Sequence, residues 1–194
     1  MKTVSLLPLA PLRAGLVALL LSLAPSLPVS PGVARAAAPA PGAAASTIRV
    51  IAGLMVPLTD ETGARWLPSG DFPDGEAVDR PELRIANTDI PSVYRSERYG
   101  MTRFVRKIPN GNYVVKLHFA VTYEAIVGPG QCVFTFDVEG NVTRDFDLFV
   151  KAGGALKAHV ESIPVTVSDG ALDIRFTGQV GNPTISAVEI VPQP

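Results

Sequence analysis

The stretch Asn112–Tyr123, NYVVKLHFAVTY, decides how the chain is read. On an extended backbone successive side chains point to opposite faces. Tyr113, Val115, Leu117, Phe119, Val121 and Tyr123 therefore share one face, and Asn112, Lys116 and His118 fall on the other. An apolar row backed by a polar one is the pattern of a strand with one side on a core. On this phase His118 reads as a surface histidine.

Working outward, the same alternation recurs in ALDIRF (171–176), where Leu172, Ile174 and Phe176 face one way and Asp173 and Arg175 the other. Turn dipeptides separate the apolar runs. Asn110-Gly111 lies between FVRKIP and NYVVKLHFAVTY, Gly140-Asn141 between VFTFDVE and the stretch ending in FDLFV, and Asp169-Gly170 between VESIPVTV and ALDIRFT. Such pairs tolerate positive φ and predict tight hairpins. Pro164 has no N–H for a ladder, which predicts an edge strand. Past the N-terminal region only a turn at Lys151 to Leu156 suggests helix. These signals predict an all-β fold, an antiparallel jelly-roll sandwich of the galactose-binding kind, in one domain over residues 47–194.

Two regions depart from this pattern. Residues 54–92 carry six prolines and glycines before Glu76 and little alternation. They read as a long loop region, the kind that carries function on a rigid sheet. At the N-terminus, Lys2 and Arg13 accompany the apolar run AGLVALLLSLA (14–24), too short to span a bilayer, and Ala34-Arg35-Ala36 supplies a small-x-small cleavage pattern. Residues 1–36 read as a signal peptide and 37–46, AAPAPGAAAS, as a flexible linker. The expectation is a secreted, periplasmic or cell-surface protein with no membrane attachment after cleavage.

Composition narrows the chemistry. A formal charge of −1 without a basic run argues against nucleic acid as partner, since phosphates demand a concentrated Lys/Arg face. Cys132 is the sole cysteine, so no internal disulfide forms, and it reads as a small buried hydrophobe. The two histidines, His118 and His159, have no metal-ligand spacing, and no serine stands in a nucleophile elbow. Glu97, Glu124 and several aspartates are available, but spacing alone does not set two carboxylates across a glycosidic bond. No catalytic residue, metal or cofactor is expected.

The aromatics point to sugar, whose C–H faces pack on rings while its hydroxyls need polar neighbours. Tyrosine offers both. Tyr123 ends the inward row just before VGPG (127–130), where it serves either as a ring at the mouth of the sandwich or as a core-rim residue. Tyr94 and Tyr99 bracket Arg95, Glu97 and Arg98, a cluster that reads as a solvated loop, a local ion pair or a functional site.

Six segments in order resemble the malectin domain, a carbohydrate-binding family with a jelly-roll sandwich: IRVIAG (48–53), IANTDIPSVYRSERYG (85–100), IPNGNYVVKLHFAVTY (108–123), RDFDLFVKAGGALKA (144–158), VTVSDGALDIRFTG (165–178) and GNPTISAVEIV (181–191). The resemblance implies recognition of glucose-terminated glycan ends by an aromatic cluster plus an aspartate, without catalysis. Two family tyrosines fall on Tyr94 and Tyr123. The aromatic after the second is Glu124 here, the aspartate before the closing Asn-Pro is Gly181, the first-strand asparagine is Ile51, and the acid usual after Phe-Ala is Val121.

The implied site has Tyr94 and Tyr123 as platform, with Glu97, Arg98, Glu124 and Asn182 as polar contacts and Trp66 or Phe72 closing one side. Glu97 and Arg98 read equally well as an ion pair holding the Tyr94 loop. The expected partner is a neutral carbohydrate, an oligosaccharide or glycan end. The alternative is an exported structural or protein-interaction sandwich that has lost the sugar site, to which Glu124 and Gly181 point.

Overall fold

A computed structural model describes residues 46–194. The segment 1–36 that reads as a signal peptide, and all but Ser46 of the segment 37–46 that reads as a linker, lie outside the described residues. In chain order the elements are β1 (Ile48–Ile51), β2 (Leu58–Thr59), β3 (Arg65–Trp66), β4 (Glu76–Asp79), α1 (Pro91–Tyr94), β5 (Ser96–Tyr99), β6 (Arg103–Lys107) and β7 (Gly111–Ala120). They continue with β8 (Val133–Val138), β9 (Asn141–Asp147), α2 (Leu148–Ala152), β10 (Ala158–Val167), β11 (Ala171–Val180), β12 (Thr184–Ile185) and β13 (Ala187–Pro192).

The fold is an antiparallel β-sandwich. One four-stranded sheet runs β1-β13-β7-β10 and the other β6-β11-β8-β9. Their inner faces carry the rows that the sequence pattern marks out. Val115, Leu117 and Phe119 from β7 are fully buried with Leu172 and Ile174 from β11 and Phe134 and Phe136 from β8. Phe119 lies 5.2 Å, centroid to centroid, from Phe146, which in turn lies 5.3 Å from Phe134. These tilted contacts suit the ring quadrupoles. Pro164 sits on β10, which pairs only with β7 and is the edge of its sheet.

Of the three hairpins expected at turn dipeptides, one forms, with its turn one residue before the expected Gly140-Asn141, since Asn141 already pairs with Val138. β8 and β9 pair around Glu139 (φ 51°) and Gly140 (φ 83°), both in the left-handed conformation a two-residue hairpin needs. The other two are corners between sheets. Asn110-Gly111 carries the chain from β6 in one sheet to β7 in the other, and Asp169-Gly170 carries it from β10 to β11. The corners stack, with Ile108 N–H donating to the Gly170 carbonyl at 3.0 Å. A dipeptide that permits positive φ fixes a turn and leaves the partner strand undetermined.

The FDLFV stretch also differs from its strand reading. β9 ends at Asp147, whose side chain accepts from Val150 N–H at 3.3 Å and caps α2, and Gly153 at φ 72° ends that helix. The helical turn thus begins before the expected Lys151.

Residues 54–92 are not one long loop. They hold the two-stranded β2-β3 pair, β4 and the start of α1, and β4 joins β5 and β12 in a three-stranded sheet of order β12-β5-β4. Part of this insertion lies on the outward face of the first sheet, where Trp66, Ile85, Val93 and Tyr94 pack with Ile51, Ala120 and Ala187 as a second core. His118 keeps the outward phase read from the sequence, but the insertion covers it: the residue is 5% exposed. The surface reading of His118 is corrected accordingly.

Candidate functional site

The front face of the three-stranded sheet supports a cleft of about 370 Å³ at one end of the sandwich, a size suited to a sugar ring or two. Its register explains the lining. Thr184 pairs with Tyr99, and Val78 with Glu97. Paired residues share a face and i, i+2 residues on one strand do too, so Thr184, Tyr99, Glu97 and Val78 all face the cleft. Arg98 falls on the back. The opposite wall comes from beyond the end of β7, with Val121, Thr122, Tyr123, Ile126, Gln131 and Cys132, and Gly181 and Asn182 complete the rim.

A buried polar network floors the cleft. Glu97 is 4% exposed; its Oε1 accepts from Arg80 Nη1 at 2.8 Å and its Oε2 from the Thr184 hydroxyl at 2.9 Å. Arg80 Nη1 also donates to Thr122 Oγ1 at 3.0 Å. Behind Glu97 the chain leaving β1 comes so close that a Cβ on Gly53 would lie 2.4 Å from the Glu97 backbone nitrogen. Only glycine permits that approach. Cys132 is buried against the cleft, its thiol pushed up to about 11 by burial first and by the negative charges of Glu97 and Asp147 second. Gln131 Oε1 accepts from the Val127 and Gly128 N–H groups at 2.7 and 3.1 Å, shaping the loop that carries the lip.

The residues singled out from the sequence separate into distinct places. Tyr123, Glu97 and Asn182 line this cleft. Glu124 is exposed beside Tyr123 but is not among the lining residues. Arg98 does not pair with Glu97, because adjacent strand residues point apart. Instead it donates to the carbonyls of Ala52, Asp74 and Gly75 and to Ser69 Oγ, with its guanidinium 5.4 Å from the centre of the Phe72 ring. Phe72 belongs to the main core. Of the other cleft residues, Tyr99 was placed in the charged cluster but not in the implied site, and Arg80, Thr122, Gln131 and Thr184 were not foreseen. Tyr99 had a signal, since it stands two residues from Glu97; Arg80 had none, because the β4–β5 register is non-local.

Tyr94 and Trp66 lie elsewhere, around His118. The Tyr94 hydroxyl is 2.8 Å from His118 Nδ1, and the Trp66 ring meets the imidazole edge-on at 5.4 Å. Trp66 Nε1–H donates to Asp60 Oδ2 at 2.8 Å. Burial pushes the Tyr94 hydroxyl up to about 12. Glu189 stands next to this group, held down to about 2 from its ordinary 4.5. The strongest cause is His118, whose Nε2 lies 3.8 Å away, too far for a direct hydrogen bond; Lys116 and Arg49 add to it against the cost of burial. A shallow notch of about 320 Å³, bounded by Arg49, Asp60, Trp66 and Glu189, opens beside the group. Among the described residues no group of three or more His, Cys, Asp or Glu is arranged to hold a metal ion, and no helix is long and apolar enough to cross a membrane.

An antiparallel sandwich with an end cleft over a small inserted sheet defines the class of β-sandwich. The malectin domain profile matches residues 60–188, and the chain belongs to that family. Among curated proteins it is similar to the kinesin-like protein KIN-14E of Oryza sativa subsp. japonica, 29% identical over 126 residues that cover 60% of this chain and 12% of that protein. The chain thus matches only a small part of its relatives' length. Among solved structures it resembles a Bacteroides uniformis beta-glucuronidase (TM-score 0.69, 17% identity, 77% of this chain and 18% of that one). It also resembles the ANX1 ectodomain of Arabidopsis thaliana (TM-score 0.65, 15% identity, 76% and 48%). At those identities the structures establish the shared fold.

Proposed function

We propose that the chain is an exported, non-catalytic carbohydrate-binding module that takes a neutral glycan end in the Tyr123 cleft. In this reading residues 1–36 are the export signal, 37–46 a linker and 47–194 the binding domain. The observation that carries it is the Tyr123 ring, 55% exposed, standing at a cleft whose floor is the Arg80–Glu97 pair. A ring beside fixed hydrogen-bonding groups matches the two faces of a sugar. Because the charges of Arg80 and Glu97 offset one another, the cleft favours an uncharged ligand. Tyr123 and Asn182 contact the sugar from the rim, Glu124 reaches hydroxyls that extend past it, and Glu97 acts from the floor. Tyr94, Trp66, Phe72 and Arg98 hold the framework.

Glycan-array screening followed by calorimetry on the full chain tests this reading. Binding that Tyr123→Ala weakens about tenfold or more and Tyr94→Phe leaves alone is the expected result. Sugar affinity unchanged by Tyr123→Ala removes the cleft from consideration.

A second reading, a protein-interaction sandwich, draws on the apolar lip. Val127, four residues beyond Tyr123, is 73% exposed, and Gly181 gives the rim no acidic side chain. Silence across a broad array from a folded protein would favour it.

A further inference from the structure

Arg80 sits where the three-stranded sheet meets the sandwich, and its partners come from separate parts of the chain. One nitrogen, Nη1, donates to Glu97 on β5 and to Thr122 beyond β7, while the same carboxylate accepts from Thr184 on β12. Glu97 and Thr122 are 4% and 5% exposed. Buried groups of this kind are costly to leave unpaired, which fixes the cluster in one arrangement. A guanidinium suits the task because its planar nitrogen directs two hydrogens to two acceptors at once.

Thr122 immediately precedes Tyr123, in a part of the chain that has left the β7 ladder at Ala120. Backbone bonds from Leu156 N–H to the Val121 carbonyl and from Ile126 N–H to the Tyr123 carbonyl, 2.9 and 3.1 Å, hold the chain on either side. The side chain of Thr122, pinned to Arg80, fixes the orientation between them. We infer that Arg80 is a positioning residue: seated on Glu97, it anchors Thr122 and so sets the Tyr123 ring at the cleft. Its consequence for binding rests on the carbohydrate reading, whereas its effect on the ring does not.

The test uses the full chain labelled with 3-fluorotyrosine, whose four tyrosines give separate fluorine resonances; Tyr123→Phe assigns the line of interest. Thr122→Val, nearly isosteric, is the informative variant, since Arg80→Met leaves a buried carboxylate unpaired and threatens folding. The Tyr123 line moves in Thr122→Val, the Tyr94 and Tyr113 lines stay, and Thr122→Ser restores the original position. Calorimetry with maltose and lactose, a glucose-terminated and a galactose-terminated probe, then shows about tenfold weaker binding for Thr122→Val. No further loss occurs when Thr122→Val is added to Tyr123→Ala, because the two act through one ring. An unmoved Tyr123 line, or additive losses, overturns the inference. Absence of binding to either probe in the unmutated chain counts against the carbohydrate reading, and the fluorine lines still decide the positioning role.

Discussion

Two tyrosines of similar promise in the sequence end in opposite circumstances. Tyr123 stands at the mouth of the sandwich with more than half of its surface open, whereas Tyr94 is 2% exposed and committed to His118. Their surroundings differ as much. Around Tyr123 the fixed polar groups lie at the floor of a cleft, and the ring is free at the rim. Around Tyr94 the ring, Trp66 and His118 fill a core between the insertion and the outward face of a sheet. A tyrosine's availability therefore depends on what covers the sheet face behind it, and that covering is set by segments distant in sequence.

Trp66→Ala empties the second core and is expected to destabilise the protein by about 3–5 kcal/mol, read from urea denaturation. A loss below about 1 kcal/mol would mean the insertion is a surface flap rather than a core element. Acid titration comes next. The folded-state Glu189 carboxyl, at about 2 against an ordinary 4.5, is charged in both states above the unfolded value, so its contribution is fully present there. It is lost as pH falls from about 4.5 toward about 2. Denaturation midpoints across that window should decline less steeply in Glu189→Gln than in the unmutated protein.

Smaller again is Tyr94→Phe, which deprives a buried imidazole of its partner and costs about 1–3 kcal/mol, with sugar binding unaffected. Should that substitution weaken binding as Tyr123→Ala does, the two regions are one site after all. Smallest of all is Tyr123→Ala, expected to cost stability about 1 kcal/mol or less, since more than half of the residue is open to solvent.

Much of the sandwich was legible because alternation is a local signal. Val115, Leu117 and Phe119 on β7 and Leu172 and Ile174 on β11 face the core as their phase requires, and Pro164 marks an edge as its missing donor requires. The pairing of strands was less legible. Asn110-Gly111 and Asp169-Gly170 allow a sharp turn, and nothing local distinguishes a turn within a sheet from a corner between two. His118 was misplaced for a related reason: its phase was right, but the segment that covers it lies more than a β-strand's reach away in sequence. In the cleft, Glu97 and Arg98 looked like neighbours able to pair, yet strand geometry sends them to opposite faces, one to the cleft and one to a set of backbone carbonyls. Arg80 stayed invisible because its role arises only when β4, β5 and the end of β7 meet.

The place of β13 carries a consequence for timing. This last strand of the sandwich is an interior one, seated between β1 and β7, and β1 has no other partner among the named strands of its sheet. Until β13 arrives, the earliest strand has only its short bridge to Leu67, and β7 is paired along one edge only. The domain is therefore expected to assemble late and as a unit, by contacts that join its two extremes, a topology associated with slow folding. A chain shortened before Ala187 loses the strand that closes the sheet, not a dispensable tail.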